Sequence, residues 1–191
     1  LDIRRAALAR VPFFEDLSDD VLAEIDRRCR VEDHPAAAAV LHAGDPATHV
    51  YVVASGTAKV VRPTLEGTEV LLDIARPGDF FGALPSLGAE TYADSVWALT
   101  ALCVLSLDAA AFEEILDEHP SVARAGVRVM AQRLAQAQDQ LHALAAATSE
   151  QRVAAALVML ADRVGVPRPS GLLLDLPLSR DDLAALTGTA S

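Results

Sequence analysis

The feature that most constrains the fold is a series of short apolar runs, separated by glycine-containing turns, between residues 39 and 107. The runs are Val50–Ala54, Thr57–Val61, Val70–Ile74 and Val96–Leu107, and the turns are Gly44-Asp45, Ser55-Gly56, Glu66-Gly67, Pro77-Gly78-Asp79 and Gly82. Turns that recur at intervals of roughly eleven residues are typical of short antiparallel strands. Pro77 and Gly78 suit the central positions of a type II turn, where proline presets φ and glycine supplies a positive φ. The segment therefore predicts a small β-roll or jelly roll.

Helical patterns lie on both sides of this segment. Residues 1–30 are predicted as short helices, with Leu17-Ser18-Asp19-Asp20 offering an N-cap. Asp108 is predicted to cap a short helix through Phe112, Ile115 and Leu116, which His119-Pro120 ends. Strands grouped together and followed by helices indicate an α+β fold.

A much longer helix follows, with a narrow apolar seam along one side. The seam positions alternate three and four residues apart and are Val127, Met130, Leu134, Ala137, Leu141 and Leu144. This is the spacing of a coiled coil, and the other faces of the helix are polar, which favours a parallel homodimer. The alternative is that this helix packs on its own β-roll, since three heptads are the minimum for a coiled coil.

The residues after the seam are predicted to form a second small domain. Thr148 and Gln151 fit a capping box that starts a helix, and residues 165–171 are predicted as a loop before a short strand, Leu172–Leu176. Ser179-Arg180-Asp181-Asp182 is predicted to cap a helix from Asp182 to Leu186, which a tight turn at Thr187-Gly188-Thr189 ends. We therefore divide the chain into a sensor domain (1–118), a dimerisation helix (119–147) and a C-terminal domain (148–191).

The composition narrows the class of protein. The formal net charge of −11 argues weakly against nucleic acid as a partner, although a local basic face is compatible with it. Cys29 and Cys103 are too few for a disulfide framework or an all-cysteine metal site, whereas one disulfide bridge or a mixed-ligand metal site stays open. No apolar run reaches the roughly 18 residues that span a bilayer, and the start lacks signal-peptide architecture. A cytoplasmic protein without membrane contact is expected.

No motif indicates an enzyme. A glycine-rich phosphate loop, His-Glu-x-x-His and Gly-x-Ser-x-Gly are all missing from the sequence. The neighbouring carboxylates Glu113-Glu114 and Asp181-Asp182 point apart on a helix and do not form an acid–base pair. We expect no catalytic activity.

The order and spacing of these features resemble the family of the cyclic-AMP receptor protein and the fumarate–nitrate reduction regulator, here called the CRP/FNR family. The matching segments are Pro12-Phe13-Phe14 before Leu17-Ser18, Gly44–Ala47, Val50–Gly56, Pro77–Gly82 and Leu178–Gly188. The resemblance implies a dimeric bacterial transcription regulator with a β-roll of the cyclic-nucleotide-binding type, a long dimerisation helix and a C-terminal winged helix-turn-helix. The last of these is incomplete in this chain.

The resemblance also implies residues that contact DNA. Ser179 and Arg180 stand where family members contact a phosphate, and a hydroxyl, free amides and a guanidinium at a helix N-terminus suit that role. The recognition helix is expected to begin near Thr189 to Ser191, so most of it and further flanking segments are expected outside this sequence. Implied partners are promoter DNA, a second copy of the chain and RNA polymerase, whereas activation or repression stays open.

The implied effector pocket departs from the cyclic-nucleotide pattern. Its residues are Gly82, Ala83, Leu84, Tyr92, Ala93, Asp94 and Ser95. Ala83 replaces the family's ribose-binding glutamate, and Tyr92 and Ala93 replace the arginine and hydroxyl residue that hold the cyclic phosphate. A buried phosphate needs a charge-assisted partner, and Asp94 adds a repulsive charge. Cyclic AMP is therefore disfavoured.

The sequence leaves open which other effector, if any, the protein senses. An iron–sulfur cluster is disfavoured because that branch of the family uses several cysteines near the N-terminus, where only Cys29 is present. Haem stays open, because one histidine can bind its iron; the candidates are His34, His42, His49, His119 and His142. A weak metal site at His42 and His49 has no evident third ligand. An organic acid, a redox switch at Cys29 or Cys103, or no effector at all are the remaining options.

A rival interpretation is a dimeric cyclic-nucleotide-binding-like module that senses or binds proteins without binding DNA. The residues after Ser191 distinguish the two interpretations. A continuation with Glu-Thr-Val and an arginine-rich helix would indicate DNA binding.

Overall fold

The computed structural model describes residues 3–64, 67–83, 88–146, 148–169 and 171–180, together with Asp182 and Ala184. The helices are α1 (Ile3–Leu8), α2 (Asp19–Arg28), α3 (Ala109–Glu118), α4 (Pro120–Ala146) and α5 (Ser149–Val164). The strands are β1 (Arg30–His34), β2 (Ala39–Leu41), β3 (His49–Ser55), β4 (Ala58–Pro63), β5 (Glu69–Ala75), β6 (Phe80–Gly82), β7 (Ser95–Ala98), β8 (Leu102–Asp108), β9 (Val166–Arg168) and β10 (Gly171–Leu173).

Two four-stranded antiparallel sheets form a β-roll. Their strand orders are β1-β8-β3-β6 and β2-β7-β4-β5. Alternation along β3 sends Tyr51 and Val53 into the space between the sheets, whereas Val52 and Ala54 pack against the N-terminal helices. This arrangement confirms the predicted α+β class and the antiparallel β-roll.

Apolar residues on the outer face of the second sheet form a further core. Val61, Leu71, Ile74 and Leu99 pack there with Leu160 of α5. Leu174, Leu176 and Leu178 pack against the same cluster. The second sheet is therefore covered by the C-terminal segment on its outer face.

The turn at Pro77-Gly78 has the predicted geometry. Gly78 has a φ of +95°, and the Asp79 N–H donates to the Arg76 carbonyl at 2.8 Å. A Cβ at this glycine would lie 2.4 Å from Arg10 Cβ, so both the backbone conformation and the close approach of α1's neighbouring segment require glycine.

The predicted helix starts are confirmed. Ser18, Asp108 and Thr148 are the N-caps of α2, α3 and α5. Thr148 and Gln151 form both halves of a capping box, because the Thr148 N–H donates to Gln151 Oε1 at 2.9 Å and the Gln151 N–H donates to Thr148 Oγ1 at 3.3 Å.

Two strand predictions were wrong. The run Val96–Leu107 forms two strands, β7 and β8, separated by a bend at residues 99–101. The strand expected at Leu172–Leu176 ends at Leu173, and its partner β9 lies in the stretch expected to be a loop. The apolar pattern continued to Leu176 because Leu174 and Leu176 pack on the roll without joining a sheet.

Within the part of the chain that the structure describes, none of the helices combines the length and apolar character that a bilayer-spanning segment requires.

Candidate functional site

Most of the predicted effector residues lie around one cavity of about 90 Å³ inside the roll. Gly82, Ala83, Tyr92, Ala93 and Asp94 line it, together with Leu41, Val60, Phe81 and Val96. Ser95 is buried next to the cavity but does not line it, and Leu84 lies outside the described residues. Sequence reasoning missed the four apolar lining residues, since they come from strands β2, β4, β6 and β7 and share no local motif.

The Tyr92 hydroxyl is fully engaged by backbone groups. It accepts hydrogen bonds from the N–H groups of Thr48 and His49 at 3.2 and 2.9 Å, and it donates to the His49 carbonyl at 3.1 Å. Ser95 Oγ likewise accepts from the Ala43 N–H at 2.9 Å. These groups hold neighbouring segments of the roll in place, so they supply no free polar atom to a ligand.

Asp94 is the only charged residue among the described lining of the cavity, and it is paired with an arginine. Arg62 Nε lies 2.6 Å from Asp94 Oδ1, and the Arg62 side chain is 54% exposed. The hydrogen bond that Arg62 donates to Asp94 outweighs the effect of burial and raises the pKa of Arg62. The cavity therefore has apolar walls and, at its edge, a carboxylate whose charge is neutralised.

The size of the cavity limits what it can hold. A cavity of about 90 Å³ has room for several water molecules. Pockets that bind drug-sized ligands are larger, at roughly 300–1,000 Å³. A nucleotide would require the strands around the cavity to move apart.

The described histidine side chains lie away from this cavity. His34 lines a separate open cleft with Nε2 3.7 Å from Glu32 Oε2, and the His42 ring is 5.4 Å from that of Trp97, edge to face. His49 Nδ1 lies 2.9 Å from Thr48 Oγ1, and His119 is the C-cap of α3. Among the described residues, no group of three or more histidine, cysteine, aspartate or glutamate side chains could hold a metal ion.

Both cysteines are in surroundings that suppress the thiolate. Burial, reinforced by Asp26 and opposed by Arg4, raises the pKa of Cys29 to about 12. Burial and a hydrogen bond to Asp33 raise the pKa of Cys103. Because the thiolate is the reactive form, neither site favours a rapid redox response.

The predicted cap at Ser179 is present. Ser179 Oγ accepts from the Asp182 N–H at 3.0 Å, and Asp182 Oδ2 accepts from the Ser179 N–H and hydroxyl at 2.9 and 2.8 Å. Burial opposes ionisation of Asp182, but the hydrogen bonds from Lys59 and Ser179 prevail and lower its pKa. Arg180 is exposed at the start of the helix, and Thr189 and Ser191 lie outside the described residues.

The seam of α4 is exposed in the single chain. Val127 is 71% exposed and Leu134 is 62% exposed, and Met130 and Ala137 are also exposed. A different face of the helix is buried: Val122 and Ala125 belong to the core cluster that includes the N-terminal helices and α3, and Val129 is also buried. Leu141 and Leu144 belong to α4, but their side chains are not among those that the structure describes. The roll therefore leaves the described part of the seam uncovered.

Comparison with known proteins identifies similar sequences and structures. Residues 31–119 match the family described as cyclic nucleotide-binding domain. The chain is 28% identical over 183 residues to the CRP-like cAMP-activated global transcriptional regulator of Mycobacterium tuberculosis, covering 96% of this chain and 82% of that protein. It is 30% identical to the global nitrogen regulator of a Nostoc species, covering 76% and 66%. The Thermus thermophilus catabolite activator protein is 26% identical with a TM-score of 0.65, covering 94% and 81%.

Proposed function

Because the chain belongs to the CRP/FNR family of transcription regulators, we propose that it is a dimeric, DNA-binding regulator. Its signal is something other than a cyclic nucleotide, or it is constitutively active. The observation that carries the proposal is the exposed seam of α4, which lies between the sensor roll and the capped helix at Ser179. Three parts of the chain then have separate roles: the sensor domain (1–118) responds to the signal, the dimerisation helix (119–147) pairs two copies, and the C-terminal domain (148–191) binds DNA.

Dimerisation buries the seam. Val127, Met130 and Leu134 are large apolar side chains that face solvent in one chain. Burying apolar surface contributes roughly 25 cal/mol per Å², which favours pairing of two parallel copies of α4 along this seam. The pairing also fixes two C-terminal domains relative to each other, as reading two DNA half-sites requires.

Ser179 and Arg180 support contact with DNA phosphates. Backbone N–H groups at a helix N-terminus and an adjacent guanidinium are able to bind a phosphate and to orient the protein on the duplex without reading its sequence. Thr189 and Ser191 would begin the helix that enters the major groove. RNA polymerase is a further partner consistent with regulation of transcription in the cytoplasm.

The cavity argues against a cyclic nucleotide as the signal. Hydrogen bonds to a charged group are worth roughly 1.5–3 kcal/mol each, and none of the described lining residues is a cation that could make one to a phosphate. The ion pair between Asp94 and Arg62 would also have to break before Arg62 could bind an anionic ligand. A small, largely apolar effector fits the observed walls better, and haem stays a candidate to be tested by absorption.

The test uses the full-length gene product. Sedimentation equilibrium should give a dimer, and selection from random duplexes should enrich a two-fold symmetric site with half-sites about ten base pairs apart. Cyclic AMP should leave the melting temperature unchanged, and the absorption spectrum before and after addition of haem should show whether a Soret band forms. A dimer that enriches no DNA sequence would instead favour the sensor or protein-binding module.

A further inference from the structure

Strand β4 separates the effector cavity from the C-terminal segment. Because side chains alternate across a strand, Val60 lines the cavity, whereas Lys59 and Val61 face the outer side of the sheet. The neighbouring strand β7 repeats the pattern in register, with Val96 beside Val60 and Trp97 beside Lys59. One strand thus contacts the cavity with one set of side chains and the C-terminal segment with the other.

Helix α5 is held on the outer side by apolar packing and ion pairs. Leu160 is only 2% exposed and packs in one cluster with Val61 and Ile74. The guanidinium of Arg163 lies 2.6 Å from Asp73 Oδ2 and 3.3 Å from Asp79 Oδ2. Arg76 Nη1 donates to the Arg163 carbonyl at 2.6 Å. These contacts dock α5 on β4, β5 and the turn that follows β5.

A further contact ties the helix-turn-helix region to β4. Lys59 Nζ lies 2.5 Å from Asp182 Oδ1, and the two side chains are 22% and 13% exposed. Shielding from solvent makes such a pair stronger than a fully exposed one. The second oxygen of Asp182 accepts both the N–H and the hydroxyl hydrogen bonds of Ser179.

The carboxylate of Asp182 consequently occupies the donors that a DNA phosphate would need. If Ser179 binds phosphate through its N–H and hydroxyl, as proposed above, a phosphate must displace Asp182 Oδ2 from both groups. Lys59 opposes that displacement, because it holds the other oxygen of the same carboxylate.

We propose that the docked arrangement is an autoinhibited state, and that occupation of the cavity releases it by moving β4 outward. This inference rests on the proposed function, since it concerns the regulation of DNA binding. The small volume of the cavity means that a ligand must displace its walls. The pairing of β4 with β5 already shifts register between Val60 and Val61, so the strand is irregular at the position that such a ligand would contact.

Trp97 provides a direct measure of docking that does not involve DNA. It is the single tryptophan of the chain, and it packs against the cluster that contains Leu160. Undocking of the C-terminal segment should expose the indole to water, shift its emission to longer wavelength and increase quenching by acrylamide.

The experiment compares Lys59→Ala and Arg163→Ala with a matched control, Arg30→Ala. Arg30 is exposed on β1 in the other sheet, so its removal deletes one positive charge far from the docking contacts. In the full-length protein, both docking variants should increase Trp97 quenching and tighten DNA binding about three- to tenfold. The control should leave quenching unchanged and should not tighten DNA binding. If Lys59→Ala acted only by removing a positive charge, it would weaken DNA binding. Tighter binding therefore distinguishes release of the docked state from a simple loss of charge.

Val60→Phe tests the connection to the cavity. The larger side chain fills the cavity from β4 and should reproduce the increase in quenching and in DNA affinity. Unchanged Trp97 quenching in all three variants would overturn the docking contact. Increased quenching with weaker DNA binding in Val60→Phe, which removes no charge, would show that the docked state is the active one and would overturn autoinhibition. If quenching increases but no form of the protein, wild type included, binds DNA, the proposed function fails while the docking contact stands.

Discussion

The hydroxyl of Tyr92 is a single group that holds one edge of the candidate effector cavity in place. It satisfies two backbone N–H groups and one carbonyl of Thr48 and His49. Tyr92→Phe removes these hydrogen bonds to partly buried backbone groups and should lower the free energy of unfolding by roughly 0.5–1.5 kcal/mol in urea titrations. Thr91→Val is the matched control, because it deletes an exposed hydroxyl next door and should change stability by less than about 0.5 kcal/mol. Equal stability of the two variants would contradict the anchoring role.

The thiol of Cys29 bears on the redox alternative. With its pKa raised to about 12, three units above that of an unperturbed thiol near 9, the thiolate fraction at pH 8 falls by about a thousandfold. Because the raised pKa keeps this acid protonated, Cys29 should react with iodoacetamide correspondingly slowly, as followed by peptide mass spectrometry. Unfolding in urea should restore an ordinary rate, and Cys29→Ser identifies the labelled peptide. Fast alkylation of the folded protein would return the redox switch to consideration.

Among the elements, α4 carries the prediction for assembly. Leu134→Glu places a charge in the seam of each copy, where it would be buried without a partner, and should weaken the proposed dimer by at least roughly a hundredfold in sedimentation equilibrium. Gln132→Glu is the control, since position 132 is exposed on a face away from the seam and the added charge stays solvated. A dimer that tolerates Leu134→Glu would have to form through another surface.

Sequence patterns predicted those elements whose signal is local. Caps at Ser18, Asp108 and Thr148 were identified because each relies on hydrogen bonds to residues about three positions away. Strand β1 was missed because it is an edge strand whose residues, Arg30–His34, are mostly polar and show no apolar alternation. The strand expected at Leu172–Leu176 was extended too far because packing against the β-roll and burial in a sheet give the same apolar pattern at Leu174 and Leu176.

The candidate site could likewise be predicted only where its residues share a local sequence motif. Gly82, Ala83 and residues 92–94 were found by resemblance to a family motif, and they do meet at one cavity. The pairing of Asp94 with Arg62 joins residues 32 apart in the chain, and that of Lys59 with Asp182 joins residues 123 apart. Such contacts depend on which strands become neighbours, which local periodicity does not specify.

At the scale of the whole molecule, the cavity, β4 and the capped helix at Ser179 form one connected set of contacts. The inner side chains of β4 face the cavity, and the outer ones hold the domain proposed to bind DNA. Coupling between two sites requires an element whose two arrangements both sites influence. Strand β4 contacts both sites, so it is the element for which we propose a second arrangement.

With a net charge of −11, the proposed binding to DNA has to depend on a few local cations. Each phosphate contact releases counterions and contributes about −0.9 to the slope of log affinity against log salt concentration. Arg180→Ala should therefore reduce the magnitude of that slope by about 2 for a symmetric dimer and weaken binding to all sequences alike. Arg30→Ala is the control, because it also removes one positive charge but does so on β1, in the sheet opposite the one that contacts the C-terminal segment. It should leave the slope unchanged, since electrostatic attraction is screened beyond roughly 10 Å at 0.1 M salt. Fluorescence anisotropy titrations between 50 and roughly 300 mM salt measure both slopes. If Arg180→Ala keeps the wild-type slope, Arg180 makes no phosphate contact, and the orientation of the C-terminal domain on DNA must be set by other residues.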